Sequence, residues 1–199
     1  MRTSLKLTAL IIGVMVMALA GAVPALAQVT NTGVGYLGAS NPNLGDGSIT
    51  LTPQTLSVVK RAFTSTGGAI PDGSTIAVGT TVKFMLYINN KTDSLLSDVS
   101  VQDVLAANFL YQAGTIKAIT EAACAVLACT PAEESTMYTN ANGSASCVGS
   151  GSPCTDGVNA DVASFAGTTV DIGNQFAANG QLDVAAQNRL VVLFTTVVQ

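Results

Sequence analysis

The sequence predicts an all-β protein, an antiparallel β-sandwich that is preceded by an extended N-terminal arm. Three observations predict this fold class. Apolar residues alternate with polar ones over short stretches, turn residues recur at frequent intervals, and no convincing amphipathic helix of ten or more residues is present. No internal repeat occurs, so we expect one domain rather than an array.

The clearest strand pattern is a predicted hairpin that runs from Thr80 to Asp103. The apolar positions of its first strand are Val82, Phe84, Leu86 and Ile88. This period of two places them on one face, which we expect to lie on a core. A polar turn at 90–94 reverses the chain, and a second strand then buries Val99 and Val101.

Shorter patterns predict the remaining strands. They cover residues 56–63, 109–111, 115–119, 160–165, 168–172 and 190–198. Gly67-Gly68 and Pro71-Asp72-Gly73 supply turns between the first of these strands and the hairpin. The last strand is apolar on both faces, so either an arm covers its outer face, or that face meets another subunit through Val191, Leu193 and Val197.

The N-terminus has the three parts of a secretory signal peptide. Arg2 and Lys6 precede an apolar run at 7–20, and Ala25-Leu26-Ala27 forms a small-residue cleavage site. The run is shorter than the ~20 residues that span a bilayer. We therefore expect residues 1–27 to be removed, leaving a strand-forming arm at 28–50 and a sandwich at 51–199.

This segment predicts a secreted protein, extracellular or at the cell surface, that passes through the periplasm if the host has an outer membrane. We expect no membrane insertion after signal cleavage. Two of the 8 basic residues leave with the signal, so six face 12 acidic ones and the net charge falls from −4 to about −6. Nucleic acid is an unsuitable partner for such a surface, since phosphate contacts need clustered Lys and Arg.

Charged residues make up only 10% of the chain, against about 25% in typical domains. This gives little electrostatic protection against self-association, which is useful in a protein that assembles outside the cell.

All four cysteines lie in a predicted insertion at 120–160, and they are Cys124, Cys129, Cys147 and Cys154. An even number in a secreted chain indicates disulfides. Nested bonds would pin the whole insertion, whereas sequential bonds would close two small loops, and the sequence leaves the pairing open. A zinc site is the alternative, but the spacings lack the close Cys pairs of structural zinc.

The sequence predicts no enzyme and no cofactor. Because it contains no His, it lacks Ser-His-Asp and Cys-His arrangements and most catalytic metal sites. Glu133 and Glu134 are adjacent and are interpreted as part of a solvated loop. A Gly-rich turn at 41–48 offers oxygen ligands for calcium, but a plain turn is the stronger interpretation.

Residues 56–115 resemble a repeat domain of unknown function that occurs in large bacterial and archaeal surface proteins. The residues that carry the resemblance are Lys60, Gly79, Phe84, Leu86, Ile88, Asn90, Val99, Val101, Asp103, Tyr111 and Gly114. Phe84 departs from a usual Tyr, and Thr92 stands where a turn Gly is common. The resemblance implies an immunoglobulin-like sandwich in a surface protein, without catalytic residues.

Some surface sandwiches cross-link a lysine on the first strand to an asparagine on the last, assisted by a buried acid. Here Lys60, Asn188 and Asp103 are the candidates for such an isopeptide bond. The simpler interpretation is that Lys60 is exposed, or that its stem lies along the surface with the amine in water.

The sequence therefore predicts a non-enzymatic structural protein of the cell surface or extracellular matrix. Its partners would be other copies of itself or other surface proteins, in a filament or layer. The candidate assembly arm carries Val34, Tyr36, Leu37, Ile49 and Leu51, which would add to a sheet edge of the next subunit. The simpler interpretation is that the same arm pairs within its own sandwich and caps an edge there. A secreted adhesin or ligand-binding module is the alternative.

Overall fold

The computed structural model describes residues 35–36, 56–126 and 128–199. The predicted signal peptide and most of the predicted arm lie outside these residues. In chain order the described elements are β1 (Gly35–Tyr36), β2 (Leu56–Thr64), β3 (Ala69–Ile70), β4 (Thr81–Asn90), β5 (Ser100–Val104), β6 (Phe109–Tyr111), β7 (Lys117–Ala122), α1 (Pro131–Gly143), β8 (Ala163–Ala166), β9 (Thr169–Ile172) and β10 (Asn188–Val198).

The strands form two antiparallel sheets, as an all-β sandwich requires. The four-stranded sheet has the order β1-β5-β9-β8, and the six-stranded sheet has the order β3-β2-β4-β10-β6. β7 also pairs with β10, along Asn188–Leu193, while β6 pairs with its end at 196–198. The long strands β2, β4 and β10 thus form the centre of the larger sheet. The two short strands β6 and β7 both pair with the free side of β10.

The predicted hairpin is wrong, because β4 and β5 lie in different sheets. The chain between them crosses from one sheet to the other and is held by Asn90 at the end of β4. The Asn90 amide donates to the carbonyl oxygens of Ser94 and Ala185, both at 3.0 Å, and its oxygen accepts the Thr92 N–H at 3.0 Å. Alternation shows which face of a strand is buried, but it does not show which strand pairs with it.

The main core lies between the two sheets. The six-stranded sheet contributes Leu86, Ile88, Val192 and Phe194, and the four-stranded sheet contributes Val101, Val170 and Ile172. Tyr111 of β6 stacks on Phe165 of β8 with 3.9 Å between ring centroids, so these two strands face each other at one side of the sandwich. Strands β2 and β5 face each other at the opposite side, where Lys60 contacts Asp103.

A second core lies on the outer face of the six-stranded sheet, beneath α1. Val191 and Leu193 of β10 and Met85 of β4 pack there against Met137 of the helix. Strands β4 and β10 are therefore buried on both faces, which corrects the expectation that β4 has only one face on a core. The helix replaces the solvated loop that the sequence predicts at Glu133 and Glu134.

The positions of most predicted strands are confirmed to within a few residues, a margin that is usual at strand ends. The interval 56–63 corresponds to β2, 109–111 to β6, 168–172 to β9 and 190–198 to β10. The strand predicted at 115–119 lies at Lys117–Ala122, and the one at 160–165 lies at Ala163–Ala166. The error in pairing concerns the hairpin, since β4 and β5 lie in different sheets.

Candidate functional site

The candidate assembly arm meets the sandwich at the edge of the four-stranded sheet. β1 pairs antiparallel with β5, with Gly35 opposite Val101 and Tyr36 opposite Ser100. The other predicted arm residues, Val34, Leu37, Ile49 and Leu51, lie outside the described residues. The structure thus places part of the arm on a sheet edge of its own chain.

At the same side of the sandwich, Lys60 of β2 and Asp103 of β5 form an ion pair between the two sheets. The Lys60 Nζ lies 2.8 Å from Oδ1 and 2.7 Å from Oδ2 of Asp103, and 4.4 Å from the centroid of the Phe84 ring. The Asp103 side chain is only 2% exposed. Burial lowers the pKa of Lys60, and the attraction of Asp103 partly opposes this effect.

The structure brings together two of the three candidates for an isopeptide bond. Lys60 is opposite Leu86 in the β2–β4 pair, and Leu86 is opposite Val192 in the β4–β10 pair. Asn188 is four positions from Val192 along β10, or about 13 Å at the rise of a strand. The register therefore keeps Asn188 away from Lys60, whose amine instead contacts Asp103 and the Phe84 ring.

The candidate assembly face on β10 is largely covered within the chain. Val191 is fully buried and Leu193 is 2% exposed, both beneath α1, while Val197 is half-buried. The helix α1 therefore covers the apolar outer face of this strand. This corrects the expectation that an arm or another subunit covers Val191 and Leu193.

α1 begins at a capping box formed by Thr130 and Glu133. The Thr130 side chain accepts the Glu133 N–H, and Glu133 accepts the Thr130 N–H at 2.7 Å. Glu133 also accepts the Ala125 N–H at 2.9 Å. These backbone donors, with Thr130 as the larger contributor, lower the pKa of Glu133 to about 2.

Glu134, predicted to be solvated, instead lies at the interface between α1 and the six-stranded sheet. Its Oε1 accepts the Tyr87 hydroxyl at 2.8 Å and the Arg61 Nε–H at 2.9 Å. Burial, and then the hydrogen bond to Glu134, raise the pKa of Tyr87. The helix is thus attached to the sheet by a carboxylate with two donors as well as by apolar packing.

The four cysteines form two sequential disulfides, Cys124–Cys129 and Cys147–Cys154. Neither bond spans the predicted insertion, so each closes only a small loop. The Arg189 guanidinium contacts the Cys124 sulfur at 2.8 Å and is held by Glu121 at 2.6 Å. The carbonyl of Val126, within the first loop, accepts the Asn89 amide at 3.1 Å.

The outer face of the four-stranded sheet is covered by the segment 173–182, a feature that sequence reasoning missed. Ser100 Oγ accepts the Gln175 N–H at 3.1 Å, and Asn179 lies over Ser164 and Asp171. Gly173 has a φ of +87°, and a Cβ there would collide with the carbonyl oxygen of Val99. The segment therefore lies directly on the sheet and buries polar residues that would otherwise be exposed to solvent.

Within the described residues, no three Cys, Asp or Glu side chains are grouped so that they could hold a metal ion. The candidate calcium turn at 41–48 lies outside this part of the chain. None of the described helices has the length and apolar character needed to cross a membrane.

Compared with known proteins, the chain matches no protein-family model, no curated protein and no solved structure. The resemblance of residues 56–115 to a surface-protein repeat therefore stays a prediction.

Proposed function

We propose that this chain is a non-enzymatic structural protein of the cell surface or extracellular matrix. In this proposal an immunoglobulin-like sandwich self-assembles through its N-terminal arm. The observation that carries the proposal is the pairing of β1 with the edge of β5. It identifies both the segment that would be exchanged between subunits and the edge that would receive it.

The exchange would use the pairing already present within one chain. β1 has only two residues, and residues 37–55 separate it from β2 in the other sheet. A strand of this length makes few main-chain hydrogen bonds, so its loss from its own sheet costs little. The arm of a second copy can make the same hydrogen bonds at the same register, which is the basis of exchange between identical subunits.

Such a contact joins the arm of one subunit to the β5 edge of the next and is therefore head-to-tail. Head-to-tail contacts produce open filaments when the rotation between subunits does not close a ring. The low charge of the chain favours this association, and its two disulfides fit an extracellular location. The alternative, a secreted adhesin or ligand-binding module, is favoured by no particular contact among the described residues.

A mixing experiment tests whether the pairing forms between chains. Gly35→Cys and Val101→Cys, which are register partners, are produced as two separate variants and mixed under mild oxidation. We expect disulfide-linked dimers on a non-reducing gel, because only pairing between chains can join the two cysteines. The matched control mixes Gly35→Cys with Leu110→Cys, an exposed position on β6 at the other side of the sandwich.

The double variant with both cysteines gives the complementary result. Pairing between chains would produce a ladder of linked subunits, whereas pairing within the chain would produce a cross-linked monomer. A cross-linked monomer, together with no specific dimer in the mixture, would overturn the assembly proposal. Deletion of 28–50 should leave a folded monomer by circular dichroism and light scattering, and loss of folding would assign the arm to its own sandwich.

A further inference from the structure

Three polar side chains form a row across the outer face of the four-stranded sheet. Asp171 of β9 lies between its register partners, Gln102 of β5 and Ser164 of β8. Asn179, from the covering segment, donates to Ser164 Oγ at 3.0 Å and to the Asp171 carbonyl oxygen at 3.5 Å. The four residues thus form one polar cluster between the sheet and the segment that covers it.

Asp171 is the only ionisable member of this cluster, and it is poorly compensated. The residue is 6% exposed, and no Lys or Arg forms an ion pair with it among the described residues. The Gln102 amide donates to Oδ2 at 3.3 Å, but the buried Oδ1 accepts no hydrogen bond. Burial raises the pKa of Asp171, and the hydrogen bonds from Gln102 and the Ile172 backbone offset this only in part.

Asn179 supplies the second oxygen of the cluster that accepts no hydrogen bond. The residue is 7% exposed, its amide nitrogen is directed to Ser164 and Asp171, and its Oδ1 accepts no hydrogen bond. An unpaired buried acceptor is costly, and the cost is larger when the acceptor is charged. Two such oxygens in one cluster offer a place where water, a donor or a cation from outside the chain can bind.

We propose that this cluster binds a calcium ion through Asp171 and Asn179. Its available ligands are all oxygens, including a carboxylate, side-chain amides and the Ser164 hydroxyl, and hard cations bind such a set. Calcium accepts six to eight oxygens in irregular geometry, so backbone carbonyls and water can complete its shell, whereas magnesium demands a near-ideal octahedron. A single carboxylate suits a weak site, on the order of 10⁻⁴–10⁻³ M, as in extracellular modules.

The ion would attach the covering segment to the sheet. Asp171 belongs to β9 and Asn179 to the segment, so an ion that binds both joins the two. The ion would lie on the outer face of the four-stranded sheet, whereas the assembly proposed above uses the β5 edge of that sheet.

The test is a titration of the calcium-depleted protein with CaCl₂, in which the melting temperature is measured at each concentration and calorimetry measures the calcium affinity. We expect a saturable rise of several °C at millimolar calcium, larger than the change produced by MgCl₂ or by NaCl at matched ionic strength. Asp171→Asn should abolish this response without destabilising the calcium-free protein, since it removes a buried charge. Asp183→Asn, at an exposed carboxylate just beyond this segment, is the control that should keep it.

Asn179→Asp is a second test, in which calcium binding should become tighter instead of being lost. A second buried carboxylate should lower the melting temperature without calcium and tighten calcium binding by about tenfold. The proposal is overturned if calcium raises the melting temperature of the wild-type protein no more than magnesium does. It is also overturned if Asp171→Asn keeps the calcium-dependent rise in melting temperature. If Asp46→Asn loses the calcium response instead, the ion binds at the 41–48 turn and the proposal is wrong. If Asp171→Asn fails to fold, the proposal is overturned by an Asn179→Asp variant whose calcium affinity is unchanged.

Discussion

The outer faces of the two sheets are both covered by the chain itself, but in different ways. On the six-stranded sheet, α1 contributes an apolar cluster and a carboxylate, Glu134, whose oxygen accepts two hydrogen bonds. On the four-stranded sheet, the segment 173–182 covers a polar row in which Asp171 accepts one long side-chain hydrogen bond. Burial of a carboxylate stabilises a fold only where donors are placed around it, so we expect Glu134 but not Asp171 to contribute to stability.

The largest effect is expected from the apolar part of the α1 interface. Met137→Ala removes a fully buried side chain and leaves a cavity between helix and sheet, which should lower the free energy of unfolding by about 2–4 kcal/mol. Urea denaturation measures this loss. Thr139→Ala, at an exposed position of the same helix, should change stability by no more than about 0.5 kcal/mol, and equal losses in the two variants would contradict the packing described here.

The two carboxylates should respond differently to removal of their charge. Glu134→Ala leaves the buried Tyr87 hydroxyl without its acceptor and should cost about 1–3 kcal/mol. Most of this cost arises at Tyr87, since the Arg61 side chain is 44% exposed and regains water. Asp171→Asn, measured in calcium-free buffer, should be neutral or stabilising, and a loss as large as that of Glu134→Ala would show that Asp171 is well compensated after all.

The smallest effect is a pH dependence of opposite sign at two carboxylates. The pKa of Asp171 is raised in the folded state, so the folded protein binds the proton more tightly, and stability falls as pH rises above the ordinary value of 3.8. The pKa of Glu133 is lowered to about 2, so its stabilisation is present above the ordinary value of 4.5 and is lost as pH falls through about 2. Denaturation in calcium-free buffer at a series of pH values should show that the wild-type protein loses stability relative to Asp171→Asn as pH rises above 3.8.

The sequence predicted the strands better than their partners, for a physical reason. Alternation in β4 and the apolar run of β10 report burial of side chains, which is a local property. Pairing depends on where the connection between two strands leads, and the Asn90 network directs the chain after β4 into the other sheet. The edge pairing of β1 and the sequential disulfides are likewise contacts that composition does not specify.

The helix α1 carried a signal that the hydrophobic pattern concealed. Its buried residues are Glu134, Met137, Tyr138 and Ala141, which have the spacing of one helical face. The first of them is a carboxylate, so the apolar stripe looks incomplete. Thr130 and Glu133 have the spacing of a capping box and would have located its start. The contacts of Asn179 with Ser164 and with the Asp171 carbonyl oxygen left no such pattern, because polar residues on an outer strand face normally meet water.

The order of strands in the six-stranded sheet determines how the domain would resist a pulling force. β2 and β10 both run antiparallel to β4 and lie on either side of it, with Leu56 opposite Asn90 at one end and Val197 opposite Thr81 at the other. Tension applied between Leu56 and Val198 would therefore slide the outer strands along β4 instead of peeling them away from it. The hydrogen bonds within each ladder would be loaded together, so those of the weaker ladder would have to break at once rather than one after another.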